Sequence, residues 1–297
     1  MTQQTIQRKE RNERKGTRAL AALLAILLFS AVLTMTVSAA EPYDFPAGAV
    51  PVRVTLDGKE VLSEETVIIR SVTYVPLRSF SELVGADSIS WNPRTATATV
   101  KKGTTSISVA NGYYYIVASG RYFYTVEPIL NISGRLFVPV RPLAKAFSID
   151  VSWDNANRTV ALRSTGKTLT PASSYYNSDD LYWLSRIISA ESAGESLYGQ
   201  IAVGNVVLNR VASRQFPNTV YGVIFDRVGG TQFSPVAMGT IYRAPAVSSV
   251  IAAKICLEGY SISNEILFFM NPRIATSNWI SKNRPFAFRI GNHDFYK

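Results

Sequence analysis

The sequence predicts an α+β protein: a duplicated α+β module in the N-terminal half and a C-terminal, mainly α-helical domain. Three observations carry this. A strand–helix–strand unit occurs twice, a Ser/Thr-rich stretch with little apolar pattern follows, and two consecutive amphipathic helices come after it. A chain of 297 residues has room for two domains. Its 47 % hydrophobic content, with 11 % aromatics, suits packed cores and excludes a disordered chain.

Residues 1–40 read as a signal peptide or an N-terminal membrane anchor. Six Lys/Arg against two Glu in residues 1–18 precede an uncharged apolar run, Ala19–Val37. Val37-Ser38-Ala39-Ala40 offers the small residues that a cleavage site needs. The run is also long enough to span a bilayer, so anchoring through residues 19–37 fits equally well. On either reading the rest of the chain is exported to the cell envelope or beyond. The net charge is +10, of which +4 sits in residues 1–18. The remaining excess suits an anionic partner, but no basic-aromatic binding motif points to nucleic acid.

The repeat occupies residues 50–164. Val75-Pro76 returns as Val138-Pro139, an offset of 63, and Trp91 returns as Trp153, an offset of 62. Leu77, Phe80, Leu83 and Val84 form a helical stripe that Val140, Leu143, Ala146 and Phe147 reproduce. The closing strands alternate at Ala96, Ala98 and Val100, then at Val160 and Leu162. Between the units, two tyrosine-rich strands flank Ser119-Gly120 as a hairpin. Those tyrosines suit either sugar stacking or sheet packing, and packing is favoured because aromatics are enriched in strands anyway.

Residues 165–178, rich in Ser and Thr, read as a linker, and residues 179–297 as the second domain. Its first helix is capped near Ser178 with Asp179 and Asp180 in the first turn. Leu181, Leu184, Ile187 and Ile188 form one face that ends in Glu191, and Gly194 is placed to stop the helix. The second helix carries Ile201, Val203, Val206, Val207 and Val211. Gly199 and Gly204 weaken it by roughly 1 kcal/mol each relative to Ala, which points to close backbone approach. Phe216–Gly239 reads as loop, Ala246–Gly259 as a helix burying Cys256, and Glu265–Lys297 as short strands and loops.

The chemistry narrows to carboxyl groups. A zinc site needs about three clustered N, O or S ligands, and the chain has one His and one Cys. No metal or cofactor is expected. Cys256 on an apolar face reads as a structural thiol, and a single cysteine forms no intrachain disulfide. Glu191, at the end of an apolar face and at a helix C-terminus, has both influences raising its pKa, as a general acid near neutral pH requires. Glu195, Asp226 and Asp294 are the other carboxyl candidates. Whether Glu195 faces the same cleft as Glu191 stays open, since Gly194 interrupts the helix between them.

The stretch from Glu191 onward resembles the SleB-type cell wall hydrolases, the spore cortex-lytic enzymes. The matching residues are Glu191, Gly194-Glu195, Gly199-Gln200, Asn209-Arg210, Phe216-Pro217-Asn218-Thr219, Gln232-Phe233-Ser234, Phe269 to Pro272 and Ile290 to Tyr296. The repeats resemble the copper amine oxidase N-terminal-like stalk domain; one histidine cannot build that enzyme's copper site, so an accessory module is implied. The first resemblance implies a lysozyme-like fold and peptidoglycan as partner. It implies cleavage between N-acetylmuramic acid and N-acetylglucosamine by a lytic transglycosylase, with Glu191 as sole acid and base. A hydrolase using water, or a non-catalytic wall-binding protein, are the alternatives. Glu195, Gln200, Gln232, Ser234, Asn271 and His293 are the matched candidates for substrate binding, and each polar group also suits a purely structural hydrogen bond.

Overall fold

Twice in this chain a proline ends a strand and opens a helix, at Pro76 and Pro139. Proline has no N–H for a sheet ladder, and its restricted φ is compatible with helix entry. The computed structural model describes residues 43–62 and 65–297. The leader expected at 1–40, with its apolar run, lies outside the described residues. Among the described residues no helix is long and apolar enough to cross a membrane.

In the N-terminal half, β1 (Val50–Pro51), β2 (Arg53–Leu56), β3 (Lys59–Val61), β4 (Val67–Ile69) and β5 (Val72–Pro76) lead into α1 (Leu77–Leu83). Then come β6 (Ser88–Asn92), β7 (Thr97–Lys102), β8 (Thr105–Ala110), β9 (Tyr115–Ala118) and β10 (Arg121–Tyr124). β11 (Leu130–Ile132), β12 (Arg135–Pro139), α2 (Val140–Ala146), β13 (Ile149–Asp154) and β14 (Thr159–Ser164) complete it. β11, β12 and α2 stand 63 positions after β4, β5 and α1, bound for bound.

These equivalent strands share one sheet, ordered β1-β4-β5-β12-β11. β5 and β12 pair antiparallel at its centre, where Val75 lies opposite Val138, its own counterpart. A local two-fold relation therefore passes between the two valines. It fails further out, because β14 runs parallel to β2 whereas β7 pairs antiparallel with β8. Phe80 and Leu143, one from each helix, are fully buried in the common core.

The C-terminal half contains α3 (Ala172–Tyr175), α4 (Ser178–Ser192), α5 (Leu197–Ala212), α6 (Val220–Phe225) and α7 (Ser234–Ala237). A 3-10 turn at Thr240–Tyr242, α8 (Val247–Leu257), β15 (Phe268–Met270), α9 (Trp279–Asn283), β16 (Phe286–Ile290) and β17 (His293–Tyr296) follow. The last three strands form a sheet ordered β15-β17-β16. α5 is buried on nearly every side. Three of its polar residues are taken up by backbone: Asn205 donates to the Tyr260 carbonyl and accepts from the Ile262 amide, and Asn209 and Arg210 donate to carbonyls of residues 263, 266 and 267. That stitching fixes the approach to β15.

Local details depart from the sequence reading. The α4 cap is Asn177, whose Oδ1 accepts from the Asp179 and Asp180 amides, so Ser178 is already helical. α4 ends at Ser192 without a left-handed residue, since Gly194 does not adopt positive φ. The stretch 216–239 is not all loop: Thr219 caps α6 by accepting from the Gly222 amide. Helices of four to six residues are too short to show a helical period.

The stretch expected as a linker is tied to both halves. Leu169 is buried in the N-terminal core, and the Ala172 amide donates to the Ser119 carbonyl. Ser119 and Gly120 both have positive φ, giving the mirror-image turn that suits a two-residue hairpin. Tyr115, Tyr122 and Tyr124 of that hairpin pack against the C-terminal core. Beside them Arg121 makes a bidentate pair with Glu258, both bonds 2.7 Å, with side chains 7 % and 2 % exposed. Tyr176 donates its hydroxyl to the same carboxylate, and Lys145 donates to the Glu258 carbonyl.

Two outcomes are expected. Arg121→Ala leaves the Glu258 carboxylate buried without its main partner, a loss of about 3 kcal/mol; faster proteolysis within 165–176 and a lower Tm measure it. At Gly204 a Cβ would lie 2.7 Å from Cys256 Sγ and 2.8 Å from Ile188 Cδ1. Gly204→Ala should therefore destabilise by about 1–3 kcal/mol despite better helix propensity. Adding Cys256→Ala should recover part of that in a double-mutant cycle read by chemical denaturation.

Candidate active site

α4 delivers Glu191 one turn beyond the buried Ile187 and Ile188. The side chain is half-buried, and among the described residues its carboxylate has no ion pair or hydrogen bond. Desolvation with no compensating charge pushes the carboxyl up to about 7. A group that holds its proton to neutrality and has a free oxygen can donate that proton to a leaving group.

The turn after α4 holds the second carboxylate in a different state. Glu195 accepts 2.8 Å from Asn292 Nδ2 and 3.3 Å from the Asn292 amide. Gly291 is what lets the chains come this close. A Cβ there would lie 1.9 Å from Glu195 Oε2, and its φ of +56° is left-handed. Glu195 thus clasps the β16–β17 turn to the segment that follows Glu191.

The other matched residues take several places. Buried Gln200 donates to the Glu195 carbonyl and to Ser248 Oγ, and accepts from Ser249 Oγ, so it joins the same turn to α8. His293 is buried against Phe269, with Nδ1 3.7 Å from Glu195 Oε1 and without a hydrogen-bond partner. Burial pulls its pKa down, opposed in part by Glu195 and Asp294, which favours the neutral ring. Gln232 lies apart, bonded to the Val228 and Gly230 carbonyls and to Arg210 Nη1. Asn271 closes a local turn by accepting from the Arg273 amide, and Ser234 is exposed at the start of α7.

The structure therefore brings Glu195, Gln200 and His293 together beside the end of α4. Gln232, Ser234 and Asn271 are not joined to that cluster by any hydrogen bond. Gly291, Asn292, Ser248 and Ser249 belong to the network although none was singled out from sequence. Gly291 and Asn292 lay inside the matched stretch Ile290 to Tyr296, so a signal was there. Ser248 and Ser249 had none. The remaining carboxylates are engaged: Asp294 pairs with Arg289, and Asp226 accepts from the Val228 amide. Among the described residues no group of three His, Cys, Asp or Glu is placed to hold a metal ion.

Residues 194–296 match the Cell Wall Hydrolase family, and residues 55–170 match the Copper amine oxidase N-terminal domain. The first match begins three residues after Glu191. The spore cortex-lytic enzyme of Bacillus cereus is 33 % identical over 207 residues, covering 63 % of this chain and 78 % of that one. The spore cortex-lytic enzyme of Bacillus subtilis is 39 % identical over 120 residues, 40 % of this chain and 38 % of that one. A solved catalytic domain of the germination-specific lytic transglycosylase SleB from Bacillus anthracis is 39 % identical, covers 43 % of this chain and all of that one, and superposes with a TM-score of 0.38. The matched sequence defines a cell wall lytic enzyme. More particularly, the chain belongs to the spore cortex-lytic enzyme family.

Gly291→Ala should push Glu195 off Asn292 and loosen the turn beside Glu191. The expected result is at least a tenfold loss of lytic activity, roughly the scale that ångström-level misplacement produces. Glu195→Gln, which keeps one acceptor for Asn292, should lose less activity than Glu195→Ala. Turbidity loss of purified wall material, with circular dichroism to confirm folding, measures both.

Proposed function

We propose that this chain is an exported lytic transglycosylase that cleaves peptidoglycan between N-acetylmuramic acid and N-acetylglucosamine, in spore cortex or in the vegetative wall. The observation that carries it is Glu191, a half-buried acid without a partner among the described residues, whose carboxyl burial pushes up to about 7. In its protonated form Glu191 donates to the glycosidic oxygen as the bond to C1 of muramic acid breaks. The resulting carboxylate then takes the proton from the muramic 6-hydroxyl as that oxygen attacks C1. One proton leaves the acid and one returns, so the enzyme is regenerated, and the product carries a 1,6-anhydro ring.

This route needs one carboxylate. A two-carboxylate hydrolase needs a second, free one across the bond, and Glu195, Asp226 and Asp294 each already hold a hydrogen bond or an ion pair. Glu195, Gln200 and His293 then hold the turn beside Glu191 in place for substrate, with Gln232, Ser234 and Asn271 as outlying contacts for longer glycan. The proposal also takes the C-terminal half as a lysozyme-like domain and the N-terminal half as a duplicated stalk that holds it at the wall. Residues 1–40 are its export signal, or its anchor through residues 19–37.

Muropeptides released from vegetative and cortex sacculi, analysed by mass spectrometry, test the reading. Anhydromuramic ends that disappear with Glu191→Gln are expected; reducing ends would mean water is the nucleophile, and no release would mean a binding protein. Activity should fall as pH rises through about 7, because the acid form is the competent one. The stability effect has the same origin. The folded chain keeps this proton up to about 7, whereas an unfolded glutamate loses it near the ordinary value of 4.5. Folding is therefore progressively penalised from about pH 4.5 to 7, and fully penalised above, by at most about 3 kcal/mol. Glu191→Gln should stabilise the protein at pH 8 and change little at pH 4, as denaturant titrations at the two pH values will show.

A further inference from the structure

We propose that the seam between the N-terminal and C-terminal halves is a second saccharide-binding site, which takes a peptidoglycan strand carrying a carboxylate. This rests on the reading of the chain as a peptidoglycan enzyme and adds a site away from the acid. A cavity of about 650 Å³ opens there, within the size range of ligand sites; the N-terminal half lines it except where Tyr260 of the C-terminal half closes its side. Tyr124 and Trp153 enter it from the N-terminal half and Tyr260 from the C-terminal half. The hydroxyls of Ser71 and Thr73 also line it.

Arg141 is the sole charged lining residue, and it is exposed with no ion pair or hydrogen bond among the described residues. Aromatic plates, hydroxyls and one unpaired guanidinium match a sugar's apolar face, its hydroxyls and a lactyl or peptide carboxylate.

Tyr124, at this cavity, stacks with two further tyrosines, one from each half. Tyr124 stacks on Tyr114 at 6.5 Å and on Tyr198 at 6.4 Å, with interplanar angles of 21° and 25°. Tyr114 and Tyr198 are 45 % and 40 % exposed. Tyr198 stands in the first turn of α5, three residues after Glu195. The three rings thus span both halves, as a track for an extended strand would.

The test uses the full chain with Glu191→Gln, titrated calorimetrically with purified peptidoglycan fragments of several disaccharide repeats, stem peptides intact. Chitin oligosaccharides of equal length are the uncharged comparison. Trp153→Ala should weaken both ligands about tenfold and Trp153→Phe far less. Arg141→Ala should weaken only the carboxylate-bearing fragments, about fivefold. Arg78→Ala, which removes an exposed charge on α1, should weaken neither. No binding by the parent, unchanged binding in the Trp153 and Arg141 alanine variants, or equal weakening by Arg78→Ala overturns the proposal. Circular dichroism melts confirm that the variants fold. The catalytic reading is judged separately, from products of the unsubstituted chain: absent anhydromuramic ends with the binding pattern intact would remove the transglycosylase and support the seam site.

Discussion

The C-terminal half depends on the close approach of α5 to α4 and α8. Gly204 lacks the one carbon that would hold the helices apart, and Ile188 and Cys256 fill the space it leaves. Because α5 is enclosed, its polar side chains must find partners inside. Asn205, Asn209 and Arg210 find them in the backbone between Tyr260 and Leu267 and Gln200 in the Glu195 carbonyl and the Ser248 and Ser249 hydroxyls, since an unpaired buried polar group costs about 1–3 kcal/mol. One steric fact thereby fixes the helix that carries Glu191 and the path into the sheet beside it.

The carboxylates of this half sort by whether burial is compensated. Glu258 is more deeply buried than Glu191, yet it has a guanidinium, a phenol and an ammonium against it. Asp294 has Arg289, and its pKa is pulled down by that hydrogen bond. Glu195 has Asn292. Glu191 is desolvated with no partner among the described residues, and its carboxyl is pushed up to about 7, whereas Asp180, raised by burial and by neighbouring Asp179, lies in the first turn of the same helix. Burial without compensation, rather than a special neighbouring group, is what raises the Glu191 carboxyl.

The same logic explains the seam. Arg121 and Glu258 gain little as an isolated pair, because desolvating both charges offsets much of their attraction. With Tyr176, Lys145 and the tyrosine hairpin around them, they join two cores at one geometry. The tyrosines on the inner side of the hairpin pack, and those at its edge remain exposed. Packing and an accessible aromatic surface are thus two faces of one hairpin, not rival explanations of it.

Much of this was legible in the residues themselves. The 63-residue repeat, the α4 face ending in Glu191, the buried thiol and the need for close approach at a helix glycine all follow from local spacing. Spacing reports which side of an element is apolar and what a backbone position tolerates. It does not report what the side meets. The pairing of Val75 with Val138, the clasp of Glu195 by a residue 97 positions later, and the pair between Arg121 and a residue 137 positions later were decided only by the tertiary structure. So was the lack of compensation at Glu191. An uncompensated carboxylate is defined by partners it lacks, and those partners come from distant parts of the chain that only the fold brings close or keeps away.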